Sequence, residues 1–343
     1  MPDGPADEGV DLGRRTFFRR FAGDVVSAAS SAIGVLGVLQ ETSAEAARDI
    51  LGATEAPGEA TPTGFRSAFR WDGDVCWVVD QRKIPDSIAE YSIRGAAEAA
   101  FAIREGVVRG APVARQLAAI GLALTAHRHR TTRPYARRAQ IRGSANALRA
   151  ARPALGGVAD ATERMLATLE AAGGLAGDGD RIAAALRAEA ETIILEATTD
   201  HGLLAAALAA TLPATGEAPL RVLVHGHTGV LAGGQYGTGL AAVIAAHHAG
   251  RLIHVHVAET RPELLGSRLA AWELREAGVS FDVVTDSAAA TLIARGEVDA
   301  VVLGAERVAA NGDVLVVTGG YALATVADRQ GVAVLAAAPT PTF

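Results

Sequence analysis

The sequence is poor in cysteine and in lysine, and each shortage excludes a class of site. Cys76 is the only cysteine, which rules out an internal disulfide framework and a zinc site made of several thiolates. Lys83 is the only lysine, so a phosphate site must rely on arginine side chains and backbone amides. No uninterrupted apolar run approaches the roughly 18–20 residues of a membrane span. The formal net charge of −6 argues against a nucleic-acid partner, since nucleic acids are usually bound by a basic stripe.

The chain nevertheless has ample material for a core, because 50% of its 343 residues are hydrophobic. At roughly 150 residues per domain, the length predicts two domains, or one large domain with an appendage. Composition and periodicity predict three parts. These are an N-terminal helix and linker over residues 1–64, a mainly helical domain over 65–205 and an α/β domain over 206–343.

The first part allows two interpretations. Residues 14–20 carry paired arginines ahead of a weakly apolar stretch, and residues 44–46 would suit signal cleavage, so the part resembles a twin-arginine export signal. The alternative, which we favour, is an amphipathic helix, because apolar residues recur at near-helical spacing and Asp24 interrupts the apolar centre. Residues 52–64 are rich in glycine, proline and threonine and predict a linker.

The other two parts differ in the period of their apolar residues. A β-prone run, Val75–Val79, lies in a short β unit over residues 65–85, and an alanine-rich helical pattern follows from residue 93. From Leu220 onward short apolar runs alternate with helical segments, which predicts a parallel, doubly wound sheet. Ligands of such sheets bind beyond the carboxyl ends of the strands. The predicted strands cover residues 220–225, 252–258, 281–285, 299–304 and 332–337.

The loop after the first of these strands carries histidines and many glycines. His225 and His227 flank Gly226, and further glycines lead into a helix. Closely spaced glycines let backbone N–H groups approach an anion, so we expect anion binding here, with a merely flexible loop as the alternative. The two histidines are candidate acid–base groups. Without a nearby carboxylate cluster they are not expected to form a metal site.

The next strand ends carry charged residues. Glu259 and Arg261 either bind polar ligand groups or pair with each other, and Asp286 is suited by residue type to cap a helix. Glu306 follows an apolar strand, where burial would raise its pKa and let it act as a general acid. The alternative is that Glu306 forms a structural ion pair with Arg307 or Arg261.

Two segments of the helical part are suited to hold phosphate. Arg109 precedes Gly110 and Ala111 at a predicted helix start, so an arginine and unpaired amides meet there. Arg152, which is followed by a proline, repeats this arrangement. Both segments are therefore candidates for a phosphate site that does not need lysine.

Taken together, these segments resemble one family. The motifs that carry the resemblance lie in family order from about residue 65 to residue 343 and are highly specific as a set. They are Asp80-Gln81-Arg82-Lys83, Val108-Arg109-Gly110-Ala111-Pro112, Arg152-Pro153, Glu259-Thr260-Arg261-Pro262, Ala271-Trp272-Glu273-Leu274, Thr285-Asp286-Ser287 and Ala309-Ala310-Asn311-Gly312-Asp313. The family is that of methylthioribose-1-phosphate isomerase, which includes ribose-1,5-bisphosphate isomerase and the alpha, beta and delta subunits of translation initiation factor 2B.

The resemblance implies a mainly helical N-terminal domain, a Rossmann-like C-terminal domain, a homodimer, a cytoplasmic location and no metal or nucleotide cofactor. It also implies isomerisation of a cyclic aldose 1-phosphate to the open ketose 1-phosphate. There an acid assists ring opening while a base removes the proton at C2, because phosphate on the anomeric oxygen prevents spontaneous opening. In the family a cysteine and an aspartate serve this chemistry. The residues expected to bind the sugar phosphate are Arg109, Gly110, Ala111, Arg152, Glu259, Arg261 and Asp286.

The sequence departs from the family at the catalytic positions. Gly226 stands where the family has its cysteine, and Glu306 stands where it has its aspartate. Leu265 replaces a glutamine, and Val316-Val317 replaces an Asn-Lys pair. Losing a catalytic group commonly costs orders of magnitude in rate. Relatives also continue past the end of this sequence, so we expect a final family segment to be absent from it.

Three hypotheses follow. In the first, an isomerase of altered chemistry uses Glu306 as the acid and His227, or His225, as the base in place of the thiol. In the second, the same pocket binds a sugar phosphate without turnover, as in a regulatory paralogue that resembles the initiation factor 2B subunits. In the third, the pocket is vestigial and the chain serves only as an assembly partner, which predicts no small-molecule binding.

Overall fold

The computed structural model describes residues 67–174 and 176–343. The helix, the alternative export signal and the linker that the sequence predicts for residues 1–64 lie outside the described residues. The domain limits at residues 64 and 205 also stay predictions.

A small antiparallel sheet opens the described part of the chain. Its strands are β1 (Phe69–Asp72), β2 (Val75–Val79) and β3 (Glu90–Ile93), in the order β1-β2-β3. Gly73 lies in the tight turn between the first two strands with a φ of 53°, a conformation that glycine adopts without a Cβ clash. The β-prone run is therefore a strand, as predicted.

Five helices follow and bury a core of alanine and larger aliphatic side chains. Their bounds are α1 (Ala96–Arg104), α2 (Ala111–Arg128), α3 (Pro134–Ala151), α4 (Gly156–Ala171) and α5 (Gly179–Thr211). Helix α2 is the centre of this group, since every residue from Val113 to Ala126 is buried. Pro112 lies in its first turn, where the missing N–H leaves no helical hydrogen bond unmade.

Among the described residues, α5 alone is long and apolar enough to cross a membrane by length and composition. The sequence prediction concerned uninterrupted apolar runs, and α5 reaches this length although charged residues interrupt it. Ile182 and Leu186 belong to the core of the helical part, and Ala205 and Leu208 belong to the core of the α/β part. One side of α5 is thus packed inside the protein, as in a core helix.

A larger, parallel sheet lies in the C-terminal part of the chain. Its strands are β4 (Leu220–His225), β5 (Ile253–Ala258), β6 (Ser280–Val284), β7 (Ala300–Gly304) and, after the short pair β8 (Arg307–Val308) and β9 (Val314–Leu315), β10 (Ala333–Ala337). The order across the sheet is β10-β7-β4-β5-β6. Each strand begins and ends within one residue of its predicted position, and the predicted α/β class is confirmed.

Helices cover both faces of this sheet. They are α7 (Gly239–His248), α8 (Ala271–Glu276, after a π-helical turn at Gly266–Ala270), α9 (Asp286–Ala294) and α10 (Gly320–Gln330), whereas the short α6 (Val230–Gly233) lies between β4 and α7 and packs in a separate cluster. Alternate side chains of β4 enter different cores because successive residues of a strand point to opposite faces. Val222 and Val224 share a core with α7 and α8, whereas Leu223 shares one with α9 and α10.

The strand order places the loops after β4 and β7 side by side. From β4 the chain moves outward through β5 and β6 and then returns to β7 on the other side of β4. His225, the last residue of β4, pairs in register with Leu303 of β7. The order of the strands reverses at this point, and doubly wound sheets bind ligands at such a reversal.

Candidate functional site

A cleft opens at the reversal point, against the first turn of α2. It is lined by the loops that follow β4 and β7. The structure therefore brings the predicted acid and both predicted bases into one cavity. Six of the predicted site residues line it, namely Gly110, Ala111, His225, Gly226, His227 and Glu306.

A buried carboxylate holds the ring of His227. Its Nε2 lies 2.8 Å from Oε1 of Glu273, and the two side chains are only 2% and 3% exposed. Because a carboxylate accepts, Nε2–H is the donor, and in the neutral ring Nδ1 carries the lone pair. In the described part of the chain Nδ1 has no hydrogen-bond partner. A histidine that is oriented by a carboxylate and keeps one nitrogen free is suited to act as a general base.

Glu273 also organises the loop beyond His227. It accepts the backbone N–H groups of Val230 (2.7 Å) and Leu231 (2.9 Å) in the first turn of α6. No role for Glu273 was predicted from the sequence. The available signal was a carboxylate between apolar neighbours in a helix, since a buried charge needs partners.

Replacing Glu273 by alanine is expected to lower the free energy of unfolding by about 2–4 kcal/mol. The substitution leaves two backbone N–H groups and the His227 ring without their acceptor in the interior. Urea unfolding followed by circular dichroism measures the change. Glu163→Ala, on the exposed side of α4, is the matched control and should stay within about 0.5 kcal/mol of the parent. A loss below about 1 kcal/mol for the Glu273 variant would contradict the role assigned to this carboxylate.

One hydrogen bond and one closely packed glycine hold the ring of His225. Its Nε2 lies 2.8 Å from the carbonyl oxygen of Thr318, so Nε2–H is the donor, and the side chain is fully buried. Its Nδ1 lies 3.8 Å from Oδ1 of Asp286, beyond hydrogen-bond distance, and has no hydrogen-bond partner among the described residues. Gly319 packs against the ring so closely that a Cβ there would lie 2.9 Å from it. Both histidines thus leave Nδ1 without a partner, and His227 differs in that its Nε2–H donates to a carboxylate rather than to a backbone carbonyl, which favours His227 as the base.

Glu306 lies half-buried two residues beyond β7. Burial raises the pKa of its carboxyl group above the usual range, and the nearby Arg152 guanidinium opposes the rise. Within the described residues, neither of the alternative ion pairs, with Arg307 or with Arg261, is formed. A carboxyl group that keeps its proton to higher pH than usual is suited to donate that proton to a substrate.

Two helices begin at the cleft, α2 after Gly110 and α7 after Thr238. The Thr228 hydroxyl accepts the N–H of Leu240 (2.8 Å) and so caps the first turn of α7. Gly110 has a φ of 126°, and a Cβ there would lie 2.5 Å from the carbonyl oxygen of Ala232, so only glycine fits. The dipoles of both helices favour an anion at this end of the cleft.

Gly226 leaves no nucleophile at the position of the family's cysteine. Its φ of 87° is in the left-handed region, and its N–H donates to Oγ1 of Thr260 at 2.9 Å. A Cβ at this position would meet Val317 at 3.2 Å. Cys76 does not replace the thiol, because it lies in β2 and burial raises its pKa to about 12.

Restoring the cysteine by Gly226→Cys is expected to lower the free energy of unfolding by about 1–2 kcal/mol, because the residue would need a left-handed backbone. Gly226→Ala should lose a similar amount. Gly143→Ala adds the same methyl group to an open position on α3 and should retain or increase stability. Thermal and urea unfolding measure all three changes. If both Gly226 variants were as stable as the parent, the claim that a side chain at this position strains the left-handed backbone would be wrong.

The remaining predicted binding residues do not line this cleft. The Arg109 guanidinium pairs with Glu263 at 2.9 Å. Asp286 accepts the backbone N–H groups of Thr260 (2.8 Å) and Arg261 (2.7 Å), so it holds the loop that binds Gly226. A role of these side chains in binding stays a prediction. The residues concerned are Arg109, Arg152, Glu259, Arg261 and Asp286.

The fold and the cleft define a class of protein, in which a mainly helical N-terminal domain precedes a Rossmann-like sheet with a cleft at its reversal point. The profile of the initiation factor 2 subunit family matches residues 107–343. The methylthioribose-1-phosphate isomerase of Chloroflexus aurantiacus is 39% identical over 280 residues, which cover 80% of this chain and 77% of that protein. The chain therefore belongs to the family of methylthioribose-1-phosphate isomerases and initiation factor 2B subunits, as its motifs implied.

Solved structures agree with this assignment. The crystal structure of 5-methylthioribose 1-phosphate isomerase from Pyrococcus horikoshii OT3 matches with a TM-score of 0.70 at 28% identity, over 80% of this chain and 75% of that chain. The structure of translation initiation factor eIF-2B subunit delta from A. fulgidus matches with a TM-score of 0.69 at 30% identity, over 81% and 79%. The fold is thus shared by relatives named as enzymes and by relatives named as translation factors.

Proposed function

We propose that this chain binds a sugar 1-phosphate in the cleft and isomerises it, with Glu306 as the acid and His227 as the base. The buried His227–Glu273 pair carries the proposal, because it leaves Nδ1 without a partner among the described residues. A carboxyl group of raised pKa lines the same cleft. Curated relatives are named methylthioribose-1-phosphate isomerase, which supports an aldose 1-phosphate as the substrate class.

The proton transfers balance without a cofactor. His227 takes the proton from C2, the electron pair forms a C1–C2 double bond, and the bond from C1 to the ring oxygen breaks. Glu306 gives its proton to that oxygen. The protonated His227 then returns a proton to C1, and Glu306 takes the proton of the C2 hydroxyl as the ketone forms. Both side chains end in their starting states, as acid–base catalysis requires.

The phosphate is expected to lie at the N-terminal ends of α2 and α7, where the helix dipoles favour an anion. Arg152, whose charge acts on Glu306, is the arginine that we expect to assist. Phosphorylated sugars are cytoplasmic metabolites, so the proposal includes a cytoplasmic location. A homodimer follows only from the family resemblance and belongs to the proposal as well.

A second candidate function is ligand binding without turnover. Gly226 and Val317 place no titratable group where the family has a cysteine and a lysine, and both line the cleft. A regulatory paralogue would keep the phosphate-binding end of the cleft and lose the catalytic end. Both candidates therefore predict that the chain binds a sugar phosphate, but only the isomerase predicts that it converts the sugar phosphate to a product.

Phosphorus NMR on the full chain distinguishes the candidates. The protein is incubated separately with methylthioribose 1-phosphate, 5-deoxyribose 1-phosphate, ribose 1-phosphate and ribose 1,5-bisphosphate. A new ketose 1-phosphate signal is the expected result and names the substrate. Broadened signals without a product would replace the isomerase proposal by the binding one. Sharp, unchanged signals for every compound would overturn both.

A further inference from the structure

Three side chains with metal-binding groups converge on the larger sheet, away from the cleft. His254 and His256 lie two residues apart on β5, so their side chains share one face of the sheet. Asp282 on the neighbouring β6 is in register with His256. Its oxygens lie 2.9 Å from Nε2 of His254 and 2.8 Å from Nδ1 of His256. One nitrogen or oxygen atom from each residue lies within 4.8 Å of the other two.

This cluster takes no part in the proposed reaction. His254 and His256 are the second and fourth residues of β5, and Asp282 is the third residue of β6. The cleft, by contrast, lies beyond the carboxyl ends of β4 and β7. The Asp282 side chain is 48% exposed and that of His254 is 31% exposed, so an ion from solvent can reach both.

We propose that His254, His256 and Asp282 form a binding site for a divalent transition-metal ion of the Zn²⁺ type. Two imidazole nitrogens and one carboxylate oxygen suit Zn²⁺, whereas Mg²⁺ and Ca²⁺ prefer sites made of oxygen alone. Ligand atoms around tetrahedral Zn²⁺ are about 3.3 Å apart, about half an ångström more than in the hydrogen-bonded pairs. The exposed Asp282 side chain can move by this amount.

Two neighbouring contacts support the site. When an ion replaces the hydrogen bond from Nε2 of His254 to Asp282, Oγ of Ser280, which lies 3.0 Å from Nδ1 of His254, can accept the N–H of that nitrogen, so the lone pair of Nε2 is available to the ion. Arg221 lines the same groove as the two histidines, but it is paired with Asp299 at 2.6 Å, so its positive charge is offset. The first contact favours a cation between the two strands, and the second reduces the repulsion that Arg221 would otherwise exert on it.

A bound ion would join β5 to β6, which is the edge strand of the sheet. We therefore expect the ion to raise the stability of the folded chain. The three ligands come together only in the folded state, so the ion binds the folded chain and not the unfolded one. Three protein ligands leave one position of a tetrahedral ion for water or an outside ligand.

The test is metal binding by the full, tag-free chain after treatment with a chelator. Calorimetric titration with ZnCl₂ gives affinity and stoichiometry, and visible absorption after Co²⁺ addition reports the coordination. Asp282→Asn and His254→Ala remove one ligand each. His127→Ala is the matched control, because His127 pairs with a single carboxylate, Asp74, in the helical part of the chain. None of these measurements depends on turnover, so failure of the proposed isomerase activity would not affect them.

We expect one Zn²⁺ per chain, at least tenfold weaker binding in Asp282→Asn and in His254→Ala, and parent-like binding in His127→Ala. Zn²⁺ should raise the Tm of the parent and of the control, but not that of the two site variants. Far-UV circular dichroism establishes that each variant is folded. Absence of binding at millimolar Zn²⁺, or equal affinity in all four proteins, would overturn the proposal.

Discussion

His227→Asn is expected to lower the turnover of a sugar 1-phosphate by about 10²–10⁴-fold and to leave its affinity within about threefold of the parent value. Asparagine is close to histidine in shape, and its amide can still donate to Glu273. It has no group that titrates near neutral pH, so the substitution removes the base and little else. Phosphorus NMR gives the rate, and calorimetric titration gives the affinity.

His248→Asn is the matched control for this prediction. His248 is the exposed last residue of α7, outside the cleft, and its substitution should leave the rate unchanged. A His227→Asn protein that turns over within about tenfold of the parent would show that another group removes the C2 proton. Stability should also be compared, because Glu273 loses its imidazole partner in the variant.

Glu306→Gln is expected to lower turnover by a similar factor of about 10²–10⁴, because glutamine has no proton to give to the ring oxygen. The parent needs a protonated Glu306, so its rate should fall as pH rises through the raised pKa of this group. The variant should lose this decline and keep a low rate on the alkaline side. Rates measured by NMR across a pH series test both statements. An unchanged rate, or an unchanged alkaline decline, would exclude Glu306 as the acid.

The same substitution is expected to stabilise the protein at neutral and alkaline pH. Burial raises the folded pKa of Glu306, so its contribution to stability is full below the unfolded pKa and is lost as pH rises through the folded pKa. Glutamine carries no charge into the cleft. The variant should therefore exceed the parent in Tm at about pH 8 and match it at about pH 4. Glu217→Gln, in an exposed loop, should change the Tm at neither pH.

Much of the α/β part could be predicted because its sequence signals are local. Short apolar runs bounded by glycine, proline and charged residues define strands, and each of the five strands of the larger sheet begins and ends within one residue of its prediction, whereas the short pair β8 and β9 was not predicted. Alternation with helices requires parallel pairing, which places all carboxyl ends at one edge. For this reason the loops that begin at His225 and Gly304 were expected at the ligand-binding edge, and residues of both loops line one cleft. The sequence did not place His225 and His227 relative to Glu306.

Side-chain partners across the fold could not be predicted in this way. The guanidinium of Arg109, a predicted phosphate ligand, pairs with Glu263 on a segment far along the chain. Asp286, a predicted ligand-binding or capping residue, accepts the backbone N–H groups of Thr260 and Arg261. The sequence predicted neither contact, and the binding roles of both residues stay predictions. The direction of a long or charged side chain depends on which distant groups approach it, and no local pattern encodes that approach.

The sequence by itself determined the family, the α/β class and the edge of the sheet at which the candidate cleft opens, because motif order and apolar period are properties of the chain alone. Only the tertiary structure decided which acceptor each histidine of the cleft donates to. Glu273, 46 residues along the chain, reaches His227, while Thr318, 93 residues along the chain, engages His225. The two histidines are close neighbours in sequence, and their hydrogen-bond partners differ because helix α8 and the segment before α10 bring different acceptors to them.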